Sequence, residues 1–324
     1  MLEEVERWLT RRSWSADERP AQRLPAAKAR AESAGPRGAG GGATVSVVLP
    51  ALNEEATVGA IVATIRRELM ENIPLVDELV VIDSGSTDAT AEVARRAGAR
   101  VVHRDTILPR LPASPGKGEV LWRSLLVTSG DIVCFVDADL REFSADFVSG
   151  IVGPLLTDPE VQFVKAMYDR PLGDEAGQGG RVTELVARPL LNLHWPRLAG
   201  FVQPLGGEYA VRRSLLERLP FPVGYGVELG LLVDALHTVG LDALAQVDVG
   251  VRKHRHQDGR ALGRMAAAIY RTAQLRLSRG SLVRPEITQF ERGEHGFVPR
   301  TYPVDTEERP PMLEMPEYRS RHAA

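Results

Sequence analysis

Asp137 and Asp139 flank Ala138 directly after the apolar run Ile132–Val136. In an extended chain, side chains two positions apart point the same way, so both carboxylates can face one cleft. Hard oxygen ligands of this kind suit Mg²⁺ or Mn²⁺ bridging a pyrophosphate, where the cation neutralises charge on a departing nucleotide diphosphate. A turn with two solvated acids is the other use of the same pattern. Asp83-Ser84-Gly85-Ser86-Thr87-Asp88 reads as a helix cap, since Ser, Thr and Asp satisfy the first backbone N–H groups. A loop that ends a strand and opens a helix can also use such N–H groups on a nucleotide. Glu54, just past Pro50-Ala51-Leu52, either starts a helix or meets that nucleotide. Lys117 stands between Gly116 and Gly118 ahead of an amphipathic stretch. The spacing is not that of a P-loop, but glycine on either side permits close approach to a phosphate or sugar.

These residues need elements to position them. From Thr44 onward short apolar runs alternate with amphipathic stretches: strands Val45–Leu49, Glu78–Ile82, near Arg100–His103 and Ile132–Val136, with helices near Glu55–Met70, Ala89–Gly98 and Lys117–Thr128. This βαβ series predicts an α/β fold with a mostly parallel sheet flanked by helices, whose ligand lies beyond the carboxyl ends of the strands. The three polar motifs sit at those ends. Ahead of this series Leu2, Val5, Trp8 and Leu9 fall at helical spacing, so Leu2–Arg12 is expected to dock on the body or on a second subunit. Ala26–Gly42, rich in Ala, Arg, Gly and Pro, reads as a mobile linker. Beyond about Arg284 the Pro-rich, polar tail has little periodicity, and is expected to wrap the surface or to be partly mobile.

The chain has 324 residues, 44% of them hydrophobic, and a formal net charge of −3. That composition is of a globular protein with a sizeable core. It offers no global electrostatic case for nucleic acid, so an anionic substrate must be held by a local basic cluster. No apolar run is long enough to cross a bilayer, and the acidic start, with Glu3, Glu4 and Glu6, is unlike a secretory signal; a cytoplasmic location without membrane contact is expected. Cys134 is the single cysteine and lies in an apolar strand, where it reads as a buried hydrophobe.

The motifs of the first half, Val47 through Glu55, Asp83 through Asp88 and Asp137-Ala138-Asp139, resemble the opening half of the family-two-like glycosyltransferases of GT-A type. Those of the second half narrow the likeness. Gly179 through Leu185, Gln203 through Tyr209, Gly224-Tyr225-Gly226-Val227-Glu228 and Gly250 through Arg255 closely resemble the actinobacterial glucosyl-3-phosphoglycerate synthases and their mannosyl-3-phosphoglycerate synthase relatives. The likeness runs from about Thr44 to about Arg276, with a weaker echo in the tail.

The resemblance implies a retaining, metal-dependent hexosyltransferase. Its Rossmann-like half would bind a nucleotide sugar and be fused to a smaller acceptor-binding α/β region. The chain would divide at 1–43, 44–140, 141–284 and 285–324 and form a homodimer. By similarity, Asp139 and His254 would hold a divalent metal with Asp137 nearby, while Pro50, Ala51, Leu52, Glu54, Ser84, Lys117, Asp137 and Ala138 would line the nucleotide sugar. Gly180, Arg181 and Thr183, with Tyr225 and His256, would bind 3-phosphoglycerate. An arginine fork with backbone N–H groups and a threonine hydroxyl suits a phosphate or carboxylate. Lys117, Asp137, Asp139, Glu228 and the backbone at Leu205 would serve the transfer. Ala138 and Gly207 stand where the glucosyl members usually carry serine, and His256 where they carry asparagine. Smaller side chains near the sugar can admit an axial 2-hydroxyl, which tips the expected donor to GDP-mannose, with GDP- or UDP-glucose next. The competing readings are a glycosyltransferase for lipid or polysaccharide acceptors and a non-catalytic nucleotide-sugar-binding regulator.

Overall fold

The computed structural model describes residues 2–31, 42–170, 180–252, 258–277, 286–293, 296–304 and 307–322. Its strands, in chain order, are β1 (Ser13–Ser15), β2 (Val45–Ala51), β3 (Glu78–Asp83), β4 (Arg100–His103), β5 (Ile132–Phe135), β6 (Phe163–Asp169), β7 (Tyr209–Arg212), β8 (Phe221–Pro222), β9 (Leu244–Val251), β10 (Glu286–Gly293), β11 (Gly296–Pro303) and β12 (Glu308–Arg309). Eight of them form one sheet in the order β1-β9-β6-β7-β5-β2-β3-β4. Every neighbouring pair is parallel except those of β7, which runs antiparallel to both β5 and β6. The apolar runs of β2, β3 and β5 are buried nearly throughout, as expected for strands covered on both faces.

The order matters for function. β3 and β4 lie on one side of β2 and β5 on the other, so the chain reverses its winding between β2 and β5. Such a switch point opens a crevice at the strands' carboxyl ends. Pro50 and Ala51 end β2, and Asp137-Ala138-Asp139 follow β5 across that crevice.

Local differences from the sequence reading have local causes. The first core helix starts later than Glu55, at Val58, and runs to Arg66 before a π-helical turn over Arg67–Asn72. The delay follows from Asn53, which turns the chain through φ 58°, a conformation asparagine tolerates. The helix opening at Lys117 ends at Ser124 rather than Thr128. There Ser124 Oγ donates to the Leu121 carbonyl and Thr128 Oγ1 to the Ser124 carbonyl, side-chain bonds that compete with helix continuation.

Parts of two stretches of low periodicity pack on the body. The stretch read as a linker from Ala26 begins inside a helix, Leu24–Arg30, which buries Leu24 and Ala27 against the helix Asp146–Thr157, while its residues 32–41 lie outside the described residues. Alanine-rich composition favours this, and Pro25 sits in the first turn where it costs little. In the tail, β12 pairs with β8, Met312 and Tyr318 are fully buried, and Trp122 Nε1 donates to the Pro310 carbonyl. The first helix, Glu3–Arg12, docks on its own body: Val5 and Trp8 are buried and Trp8 Nε1 donates to the Leu244 carbonyl at 2.7 Å. Cys134 is buried, and burial pushes its thiol well above the usual range, so it is an inert core residue. No helix among the described residues is long and apolar enough to cross a membrane.

Candidate active site

At the switch point lies a cavity of about 790 Å³. One wall comes from the loops that end β2 and β3. Pro50, Ala51, Leu52, Glu54 and Ser84 line it. Those two loops are stitched together: Asn53 N–H donates to Ser86 Oγ, Thr87 N–H to Asn53 Oδ1, and Glu54 N–H to Thr90 Oγ1, over 2.7–3.0 Å. Asp88, one residue ahead of the N-cap Ala89, accepts from Thr90 N–H at 3.0 Å, while Ser84 faces the cavity. Gly180, Arg181 and Thr183 line the cavity too, with Leu205, Tyr225 and Glu228. The fold therefore brings the sequence-derived site residues around one space. His254 and His256 lie outside the described residues.

The floor is a lattice of buried charge. Lys117 Nζ pairs with Asp137 and, at 2.9 Å, with Glu228. Arg252, 3% exposed, reaches Asp137 at 2.7 Å, Glu208 at 3.0 Å and Asp139 at 3.4 Å. Glu208 also accepts from the Tyr168 hydroxyl at 2.7 Å. Burial acts to raise the Asp137 carboxyl, but Lys117 and Arg252 outweigh it and hold the group far below the usual carboxylate range. Asp139 behaves oppositely. Burial and the neighbouring Asp137 charge push its carboxyl up, and among the described residues its ion pair is the long one to Arg252. An under-compensated carboxylate on the cavity wall fits a hard divalent cation, which would relieve both causes. For Lys117, burial is outweighed by Asp137 and Glu228, so the amine stays protonated.

Close packing bears on three glycines. Gly116 and Lys117 line the cavity, and Gly116 and Gly118 also let this segment pack tightly: a Cβ on either would overlap the backbone of Pro222–Gly224, against which Glu119 N–H donates to the Val223 carbonyl at 3.1 Å. A Cβ on Gly207 would overlap the Asp137 carboxylate and Lys117 Nζ. Gly207 thus makes room for the Lys117–Asp137 pair, and its small size is not evidence about the sugar's 2-hydroxyl.

Sequence reasoning missed Arg252, Glu208, Tyr168 and Arg170 as parts of this site. Arg252 lay in the motif around His254, and Glu208 in the motif around Gly207, yet nothing in their spacing discloses a partner that is distant in sequence. Leu262, Met265 and Ile269 of the helix Gly259–Leu277 form an apolar part of the wall.

Comparison with known proteins extends the picture. Residues 46–184 match the profile described as Glycosyl transferase family 2. A glucosyl-3-phosphoglycerate synthase of Mycolicibacterium smegmatis is 50% identical over 312 residues, covering 94% of this chain and 97% of the relative. The chain belongs to the glucosyl-3-phosphoglycerate synthase family. It is a glycosyltransferase of GT-A type. The Mycobacterium tuberculosis glucosyl-3-phosphoglycerate synthase, solved with Mn²⁺, UDP-glucose and phosphoglyceric acid, superposes with a TM-score of 0.78 at 47% identity, covering 92% of this chain and 94% of that one. Mannosyl-3-phosphoglycerate synthase from Rubrobacter xylanophilus superposes with a TM-score of 0.86 at 40% identity, over 96% and 99%.

Proposed function

We propose that the protein transfers glucose from UDP-glucose to 3-phosphoglycerate with retention of anomeric configuration. The observation that carries the reading is the meeting, around one cavity at the switch point, of the Asp137–Lys117–Glu228 lattice, the β2 and β3 loops and the Gly180–Thr183 loop. The donor expectation shifts from GDP-mannose to UDP-glucose for two reasons. The 50%-identical relative is a glucosyl enzyme and the 40%-identical one a mannosyl enzyme. The Gly207 argument for an axial hydroxyl also falls, because that glycine accommodates Asp137.

In this reading Pro50, Ala51, Leu52, Glu54 and Ser84 hold the nucleotide, and Ala138 sits beside it. When bound, the divalent cation neutralises charge on the diphosphate; Asp139 would hold it, with His254 from outside the described residues. Lys117, kept protonated, stabilises the leaving oxygen. Glu228 and Tyr225 hold the transferred sugar or the acceptor, while Gly180, Arg181 and Thr183, with His256, take the anionic acceptor. The backbone at Leu205–Gly206 positions the attacking hydroxyl. Asp137 and Glu228 are both engaged by Lys117, which favours front-face transfer over a covalent carboxylate intermediate. The acceptor hydroxyl forms the new glycosidic bond as the sugar–diphosphate bond breaks, and its proton passes to the leaving diphosphate oxygen.

A donor-by-acceptor matrix tests this: UDP-glucose, GDP-glucose and GDP-mannose against 3-phosphoglycerate, lipid and oligosaccharide acceptors. UDP-glucose with 3-phosphoglycerate should give the highest kcat/KM. Faster transfer from GDP-mannose would reverse the donor assignment, and binding without turnover would support a regulator.

A further inference from the structure

Lys165 on β6 is buried, 1% exposed, in the apolar run Phe163–Met167. A lysine so deep is costly unless its charge is used or its proton is lost. Among the described residues its hydrogen bond goes to a neutral group, the Gly206 carbonyl, at 2.8 Å, and its ammonium lies 4.8 Å from the centre of the Tyr209 ring. The surrounding charges are Glu228, Glu208, Lys117 and Arg170.

The Gly206 carbonyl is placed where small movements reach the site. Gly206 N–H closes a turn on the Gln203 carbonyl at 3.0 Å, and Gln203 Nε2 donates to the Tyr168 carbonyl at 3.1 Å. Leu205, in the middle of that turn, lines the cavity. Gly207 follows, wedged against Asp137 and Lys117, and Glu208 anchors Arg252. The turn is therefore fixed at its two ends by hydrogen bonds to Tyr168 and Arg252, and between them by the Lys165 ammonium.

We infer that Lys165 is a positioning residue whose buried ammonium holds the Gly206 carbonyl and, through it, the Leu205 backbone in the arrangement that hexosyl transfer requires. This rests on the assignment of the Leu205–Gly206 backbone to the attacking hydroxyl. Burial pulls the amine down to about 8, with Glu228 and Glu208 opposing the fall. Lys117, Tyr168 and Tyr209 are all pushed up instead. Loss of the Lys165 proton would weaken the charge-assisted bond to Gly206, so turnover should fall as pH rises through the lysine's midpoint.

The experiment uses the full chain with UDP-glucose, 3-phosphoglycerate and Mg²⁺ or Mn²⁺. The chain has four lysines, Lys28, Lys117, Lys165 and Lys253, so ¹³C-lysine NMR resolves Lys165 as the signal lost in Lys165→Met. In the wild type the alkaline fall of kcat should coincide with the titration of that signal. At pH 7, Lys165→Met should lose at least about tenfold in kcat, with donor KM within about threefold, and should lack the alkaline fall. A variant with kcat within about threefold of the wild type overturns the inference. So does a wild-type kcat that stays level as pH rises through about 8 and beyond; this arm needs no variant, so it decides even if Lys165→Met does not fold. An inactive wild type would overturn the substrate reading and this inference with it; an active wild type indifferent to Lys165→Met overturns this inference alone.

Discussion

On the β2–β3 side of the cavity the polar groups are carried by loops at strand ends, tied to one another by neutral hydrogen bonds of Asn53, Ser86 and Thr90 and by the solvent-facing carboxylates of Glu55 and Asp88, which accept from backbone N–H groups. Beneath Leu205 and the Gly180–Thr183 loop the polar groups are charges on or beside β6, β7 and β9, among them Lys165, Glu208 and Arg252, each almost wholly buried. The first arrangement offers backbone and hydroxyl groups that can trade water for a ligand at little cost. The second must keep its charges matched, because a buried ion without its partner is far more costly than a surface one. Damage to the loops should therefore fall on ligand binding, and damage to the lattice on folding and turnover together.

Arg252→Met breaks the lattice most severely, since it leaves Asp137, Asp139 and Glu208 without their shared cation. Removing one partner of a buried pair costs about 3–5 kcal/mol, and urea unfolding should show a loss of that size. A loss below about 1 kcal/mol would mean that the lattice is solvated in solution. Asp139→Ala comes next. It should lower kcat at least about a hundredfold with Mg²⁺; near-normal turnover would remove Asp139 from the metal assignment.

Arg181→Ala sharpens the contrast within the lattice side, since Arg181 lies in the cavity-lining loop above the buried charges. It should lower kcat/KM for 3-phosphoglycerate by about thirtyfold, as expected for a lost charge-assisted contact, with donor affinity nearly unchanged. Calorimetry with each ligand separates the two, and a collapse of donor affinity would redraw the division of the cavity.

The smallest effect is the most diagnostic of sign. Burial and Asp137 raise the Asp139 carboxyl, so its charged form opposes folding. That penalty is absent below the unfolded value of about 4 and complete once pH exceeds the raised folded value. Asp139→Asn should therefore melt a few degrees higher than the wild type at pH 7.5 while losing activity, and the difference should vanish as pH falls toward 4. Equal melting at both pH values would contradict the direction assigned to Asp139.

The same contrast explains what could be read from the amino-acid sequence. Strand-end motifs are local, so Pro50–Glu54, Asp83–Asp88 and Asp137–Asp139 announced both their elements and their place in the crevice. The βαβ alternation gave the parallel part of the sheet. The antiparallel insertion of β7 between β5 and β6, and the pairing of Arg252 with Asp137 across 115 positions, have no local signature. A lysine inside Phe163–Met167 is a visible anomaly, but its partner at Gly206 is visible only in the fold. The helix at Leu24 went unread because a few apolar residues suffice to dock a short segment on a large body, and at Met312 the same economy gives the tail its hold on the surface.

The central claim, transfer of glucose from UDP-glucose to 3-phosphoglycerate with retention, is tested most directly by NMR of the reaction mixture with Mg²⁺ or Mn²⁺. The account predicts that UDP appears in step with an α-linked glucosyl product whose anomeric carbon is joined to the hydroxyl of 3-phosphoglycerate, and that omitting either the acceptor or the metal abolishes both signals. A β-linked product, or UDP release at the same rate without 3-phosphoglycerate, would contradict it.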